Sequence, residues 1–314
     1  MTLDPVLLRL FESAPLEVKL PIDWPALRGS AAAMLPLILG TAPPIDVASV
    51  EAREIEGPGG SVSLRTYRPN KPTTTTLHYI HGGGWTLGDL ETVDHTMRHL
   101  CDALPAVVVS STYRLAPEYP FPAAYDDTFA AAQWVIDHVG ELGGDAEQIV
   151  IAGDSAGGNL AAAVAIGLRD AALGGKHPLR AQLLLYPAVD LRPDAWQLAS
   201  RQASADPSLS EVALRVSVDT YVGDHDPSDW RLSPLASYDL SGLPDALVVV
   251  VTVDPLRDEG IAYAQRLQQA GSRAEIMEFS NMMHGYTHLR LIVPAAAEAT
   301  DQVLDRFREI LSAS

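Results

Sequence analysis

An α/β fold, a mostly parallel doubly wound sheet with an N-terminal antiparallel hairpin and a helical cap, is what this sequence predicts. Three observations carry the prediction. Short Val/Ile/Leu-rich runs recur along the chain, as they do in strands buried on both faces. Helical segments of 14 residues or more separate most of those runs. Strand–helix alternation of this kind is resolved by a parallel sheet with helices on both sides. Finally, 314 residues with 47% hydrophobic and 20% charged content suit a globular α/β domain with insertions rather than a disordered or fibrous chain.

Taken in order, residues 1–45 read as helical, with Leu7, Leu8, Leu10 and Phe11 on one face and breaks at Pro15, Pro21 and Pro25. Asp46 to Glu56 and Ser61 to Tyr67 alternate apolar and polar residues across Gly57-Pro58-Gly59-Gly60, which predicts the hairpin. Strands follow at Leu77 to Ile80, Ala106 to Ser110, Ile149 to Ala152, Leu183 to Tyr186, Leu247 to Val253 and Ala274 to Phe279. Helices are expected at Pro122 to Glu141, Ser155 to Ala172, Arg257 to Ala270 and Pro294 to Leu311. Residues 190–230, with a helix from Ser208 to Val222, interrupt the alternation. Long excursions in a compact domain are usually lids or binding elements. The expected organisation is therefore a core of residues 46–189 and 231–314 under a cap made of 1–45 and 190–230.

Composition excludes several function classes. Lys plus Arg total 22 against 40 Asp plus Glu, a net charge of −18. Such a surface repels phosphate backbones and anionic headgroups, so neither nucleic acid nor a membrane is an expected partner. The lone Cys101 sits within His99-Leu100-Cys101-Asp102-Ala103, on an amphipathic helix, and reads as a small buried hydrophobe rather than a nucleophile. Met1-Thr2-Leu3-Asp4-Pro5 shows no basic region leading into an apolar run, and no apolar stretch approaches the roughly 18 residues of a membrane span. The expected location is the cytoplasm. A homodimer is compatible with the sequence, which does not fix the oligomeric state.

Chemistry is concentrated in a few short motifs. Gly153-Asp154-Ser155-Ala156-Gly157 matches G-x-S-x-G, a pattern that arises by chance in about one chain in ten of this length. Its context is what counts: the strand Ile149 to Ala152 precedes it and a helix starts immediately after, the setting of a nucleophile elbow. The bland alternative is a Gly-Ser turn capping a helix. His81-Gly82-Gly83-Gly84 follows another strand, and consecutive glycines let backbone N–H groups approach a developing oxyanion. The spacing argues against a phosphate cradle, since neither G-x-x-x-x-G-K-[ST] nor G-x-G-x-x-G is present.

A serine nucleophile needs a base, and nine histidines compete. His81 is expected to organise its glycine loop; His95, His99 and His138 fall in helices away from strand ends. His284, in the loop Asn281-Met282-Met283-His284-Gly285 after the strand Ala274 to Phe279, lies where an active-site residue of a parallel sheet belongs. His288 is its nearest rival. Between Ser155 and His284 in chain order, Asp254 stands at the end of an apolar strand. Asp258 and Glu259 compete with it, but they enter a helix whose dipole accounts for first-turn acids.

With these residues placed, the chain resembles the hormone-sensitive-lipase-like esterases (bacterial family IV carboxylesterases) of the α/β-hydrolase superfamily. The resemblance rests on His81-Gly82-Gly83-Gly84-Trp85, Tyr113-Arg114-Leu115-Ala116-Pro117-Glu118, Gly153-Asp154-Ser155-Ala156-Gly157-Gly158, Asp254-Pro255-Leu256-Arg257-Asp258-Glu259-Gly260 and His284-Gly285, in the family order from about residue 77 to 286. It implies the α/β-hydrolase fold, with Ser155 as nucleophile, His284 as base and Asp254 as its partner. It also implies oxyanion donors at Gly83, Gly84 and Ala156, and a small-molecule ester as substrate. Trp85, beside the oxyanion loop, is expected either to wall the substrate pocket or to pack under the cap. Val253 stands where relatives often carry an aromatic residue, and Tyr286 where Phe is usual. No metal or organic cofactor is implied. The remaining alternatives are a deacetylase or amidase using the same three groups, and a non-catalytic ligand-binding relative. A peptidase with a large additional domain would need more chain than this sequence contains.

Overall fold

The computed structural model describes residues 3–13, 20–40, 43–173 and 175–313. An eight-stranded sheet forms its centre: β1 (Ser49–Gly57), β2 (Gly60–Arg68), β3 (Thr76–Ile80), β4 (Val107–Ser111), β5 (Ile149–Asp154), β6 (Ala181–Leu185), β7 (Asp245–Val251) and β8 (Ala274–Phe279). Their order across the sheet is β1-β2-β4-β3-β5-β6-β7-β8. β1 and β2 form the predicted hairpin, with Gly57 opposite Gly60, and β2 joins β4 antiparallel. From β4 to β8 every pairing is parallel. Every residue of β3, β4, β5 and β6 is buried, which is why these strands read as continuous apolar runs rather than alternating ones. Gln182, buried in β6, is an exception in composition, and its side-chain amide donates to Pro244 O at 3.3 Å.

Helices cover both faces. On one lie α3 (Leu90–Ala103) and α10 (Pro294–Ser312), whose Met97, Leu100, Val303 and Phe307 pack with Tyr79, Val108 and Val249 of the sheet. α1 (Pro5–Ser13) joins this side through Leu7. On the other lie α4 (Ala123–Asp137), α5 (Val139–Leu142), α6 (Ala156–Ala171) and α9 (Arg257–Gln269), with Val135, Leu160, Val164 and Tyr263 against Ile151, Leu184 and Val250. α2 (Trp24–Leu39) precedes the sheet, and α7 (Ala199–Gln202) and α8 (Glu211–Val222) fall between β6 and β7.

Some expectations shift. Leu8 does not share the buried face of Leu7 but is 43% exposed, so the apolar stripe of α1 is narrower than the leucine run suggests. Pro25 does not break a helix; it lies in the first turn of α2, where a missing N–H costs nothing, behind an Asp23 cap. Pro15 lies outside the described residues. The helix expected from Pro122 to Glu141 divides at His138, whose Nδ1 donates to Trp134 O at 2.8 Å while its ring stacks on Trp134.

Candidate active site

The carboxyl ends of the parallel strands converge on one edge of the sheet, as expected for a ligand site in an open α/β sheet. β5 delivers Ser155, which stands outside the strand and directly before α6 with φ +55°, a strained value for a residue with a side chain. The turn is possible because its neighbours are small: a Cβ on Gly157 would lie 2.1 Å from Ile80 O. β7 delivers Asp254, 1% exposed, whose Oδ1 accepts from Leu256 N at 2.8 Å and leaves Oδ2 free to face the cleft. β8 leads to His284. Its Nδ1 donates to Asp254 Oδ2 at 2.7 Å, and its Nε2 lies 2.8 Å from Ser155 Oγ. Three residues from three strand ends thus form one continuous line of hydrogen bonds.

The electrostatics favour a protonatable imidazole. Burial disfavours the charged ring, but the charge and hydrogen bond of Asp254, with Asp206 and Asp154 beyond, outweigh it and hold His284 above the usual imidazole range. His288, the rival base, points elsewhere: its Nε2 donates to Asp154 Oδ2 at 3.0 Å, and that pairing likewise raises its affinity for a proton. Asp154 also accepts from Tyr79 Oη (2.7 Å) and from Gly82 N (3.0 Å), so the residue before the serine anchors the glycine loop.

That loop is braced on all sides. His81 Nδ1 donates to Gly82 O at 2.8 Å, and its ring stacks on Tyr113 at 4.4 Å, as expected of a histidine organising the loop. Tyr113 Oη in turn donates to His81 O at 3.0 Å. Gly83 has φ +114°, and its carbonyl accepts from Leu87 N, turning the chain back on itself. Among the described residues, the N–H groups of Gly83, Gly84 and Ala156 have no acceptor. Further along, Arg114 grips Asp127 through Nε (2.8 Å) and a second guanidinium nitrogen (2.9 Å). Glu118 holds Arg28 of α2, which also donates to Thr86 O, docking the N-terminal helix onto the loop.

Trp85 does not wall an open pocket in this conformation. It is 1% exposed, and its ring stacks on Tyr221 of α8 at 4.6 Å and 5°, which makes it a strut between the glycine loop and the helix above. Glu259 likewise differs from the expected first-turn acid. It is fully buried, accepts from Val189 N and Asp190 N, and pairs with the equally buried Arg201 of α7. Cys101 is buried, and burial pushes its thiol up to about 12, in keeping with an inert hydrophobe. A third carboxylate escaped the sequence reading: Asp206 accepts from His284 N at 2.6 Å. No spacing rule links a residue before α8 to one after β8.

Residues 77–288 match the model of the α/β-hydrolase fold family. The chain belongs to that family, in its hormone-sensitive-lipase-like branch. Among its relatives, it is similar to a carboxylesterase of Mycobacterium tuberculosis (NlhH), at 38% identity over 99% of this chain and 97% of the relative. It is also similar to arylacetamide deacetylase of Oryctolagus cuniculus, at 33% identity over 72% of each. Among solved structures, a hyperthermophilic esterase from the archaeon Pyrobaculum calidifontis superposes with a TM-score of 0.92 at 36% identity over the whole of both chains. The protein is a serine-carboxylesterase-type hydrolase, and its reaction is the hydrolysis of carboxylic esters.

Proposed function

We propose that Ser155 is the nucleophile of this esterase, His284 its general base and then acid, and Asp254 the carboxylate that orients the imidazole. The observation that carries this is the unbroken line Asp254 Oδ2–His284 Nδ1 and His284 Nε2–Ser155 Oγ, at 2.7 and 2.8 Å. In the first step His284 Nε2 takes the proton of Ser155 Oγ as that oxygen bonds to the ester carbonyl carbon. Negative charge moves to the carbonyl oxygen, where the amides of Gly83, Gly84 and Ala156 receive it. His284 then protonates the departing alcohol, leaving Ser155 acylated. Water, losing a proton to the same imidazole, releases the acid and restores Oγ–H. Asp254 keeps Nδ1 protonated throughout, so that Nε2 is the atom available to accept.

The substrates are short- to medium-chain acyl esters held beneath a cap of residues 1–45 and 190–230. Two contacts support that division: Arg28 on the glycine-loop backbone, and Tyr221 on Trp85. The relative named as a deacetylase makes amides the second substrate class to assay, and the expected preference is for the ester of a matched pair. Labelling with a fluorophosphonate probe, followed by peptide mapping, tests the nucleophile. Ser155 should be the sole modified residue, and Ser155→Ala should retain the fold while turnover falls on the order of a million-fold. Labelling that persists in Ser155→Ala would remove Ser155 from the reaction.

A further inference from the structure

α7 and the segment joining it to α8 touch the backbone around two of the three catalytic side chains. Ser200 Oγ donates to Pro255 O at 2.9 Å, and Ser204 Oγ donates to Val253 O at 3.2 Å, so hydroxyls hold the carbonyls on either side of Asp254. Ser200 N also donates to Asp258 Oδ2 at 2.9 Å. A few residues on, Asp206 Oδ2 accepts from His284 N at 2.6 Å, while its Oδ1 accepts from Ser208 N at 2.8 Å. Ser208 Oγ, with one proton to give, lies 2.5 Å from Asp206 Oδ1 and 2.9 Å from His284 O. The amide of His284 is therefore held from outside the sheet, and its carbonyl faces the Ser208 hydroxyl. A local turn explains Oδ1, since an Asp side chain commonly caps the amide two residues on. It does not explain Oδ2, which reaches a residue 78 positions away in sequence.

We propose that Asp206 is a positioning residue for His284, fixing the imidazole loop from the cap side and, as a buried second carboxylate, favouring the imidazolium formed when Ser155 gives up its proton. The proposal rests on the assignment of Ser155, His284 and Asp254 given above. Besides Ser155, five groups face His284. Asp254 arrives after β7, Asp154 precedes the serine, and His288 lies in the same loop and is bound to Asp154. The Tyr186 ring, after β6, stands 4.8 Å from the imidazole. Asp206 alone among them comes from the α7–α8 segment and binds the main chain of His284. It is 7% exposed, so its charge is poorly screened, and burial followed by the charge of Asp254 holds its carboxyl above the usual range.

An ionised carboxylate raises the proton affinity of a neighbouring imidazole, so removing it lowers that affinity. Asp206→Asn keeps the shape and deletes the charge. The acid limb of kcat/KM should move to lower pH by roughly one unit, with kcat down roughly 10- to 100-fold and KM little changed. Ser208→Ala keeps the charge and loses one tether; it should lower kcat several-fold and leave the limb where it is. The experiment is a set of pH–rate profiles for the wild type and both variants on a soluble short-chain ester, each with a thermal melt. An Asp206→Asn protein that melts earlier but keeps its kcat and its acid limb would make the residue merely structural and overturn the proposal. If that variant does not fold, Ser208→Ala decides, and wild-type kcat in it is the overturning result. Fluorophosphonate labelling of the wild type runs alongside. Failure to label Ser155 would strike the underlying assignment, so the two failures are distinguishable.

Discussion

At the scale of single residues, the geometry separates groups that sequence can only rank. Asp254 and Asp258 lie four positions apart, yet one faces the imidazole while the other accepts from Ser200 N and Arg257. Asp254→Asn should cut turnover by about four orders of magnitude, because an amide opposite Nδ1 permits the wrong tautomer. Asp258→Asn should cost roughly 1 kcal/mol of stability and leave most activity in place. Steady-state kinetics and urea unfolding of the pair measure both effects; an inactive Asp258→Asn beside an active Asp254→Asn would reverse the assignment. The pH profile is argued at the same scale. As the proposed base, His284 must be neutral to accept a proton, and its partners hold it above the ordinary value of 6.5. Ester hydrolysis should therefore fall as pH drops through neutrality, with a single-group acid limb above about 6.5. A limb near pH 5 would mean that Asp254 and Asp206 do not act on the imidazole in solution.

At the scale of elements, legibility follows the range of the forces involved. Strands and crossing helices were readable because burial on both faces writes a continuous apolar run into a few adjacent residues. Ile149 to Ala152, for example, lies wholly inside the buried β5, while the edge strand β8, half-buried and carrying Glu275 and Glu278, is matched by Ala274 to Phe279. The elbow was readable because strain at Ser155 demands glycines at fixed offsets from it. What escaped are long-range polar contacts, whose partners have no periodicity. Glu259 illustrates this: nothing in Asp258-Glu259 says that the second acid turns inward to meet Arg201, 58 positions earlier. Their side chains are 1% exposed or less, and the carboxylate also binds the backbone after β6. Arg201→Ala would strand Glu259 as an unpaired buried charge, at an expected cost of about 3–5 kcal/mol. Chemical denaturation measures it, and a loss below about 1 kcal/mol would show that water or a rearranged side chain replaces the guanidinium.

For the whole molecule, the question is how much room the assembled parts leave over Ser155. Trp85 and Tyr221 stack between the glycine loop and α8, so that helix rests on the loop. The approach is close: a Cβ added to Gly84 would lie 2.7 Å from Ser217 Oγ of α8. Arg28 holds α2 to the same loop from another direction. A cap closing over Ser155 as proposed would reward apolar chain length only until the space is full, at up to roughly 0.8 kcal/mol per methylene buried, after which each added carbon must displace packed side chains. A net charge of −18 repels anionic headgroups. Among the described residues, no helix is long and apolar enough to cross a membrane. Across a series of p-nitrophenyl acyl esters, kcat/KM should rise to a maximum at about four to eight carbons and then fall steeply, with no jump in rate as substrate passes into emulsion. Efficiency that climbs steadily to sixteen carbons would require α8 to lift from the glycine loop and part Trp85 from Tyr221. The tryptophan, now 1% exposed, would then report the opening by a change in its fluorescence on binding a long-chain ester.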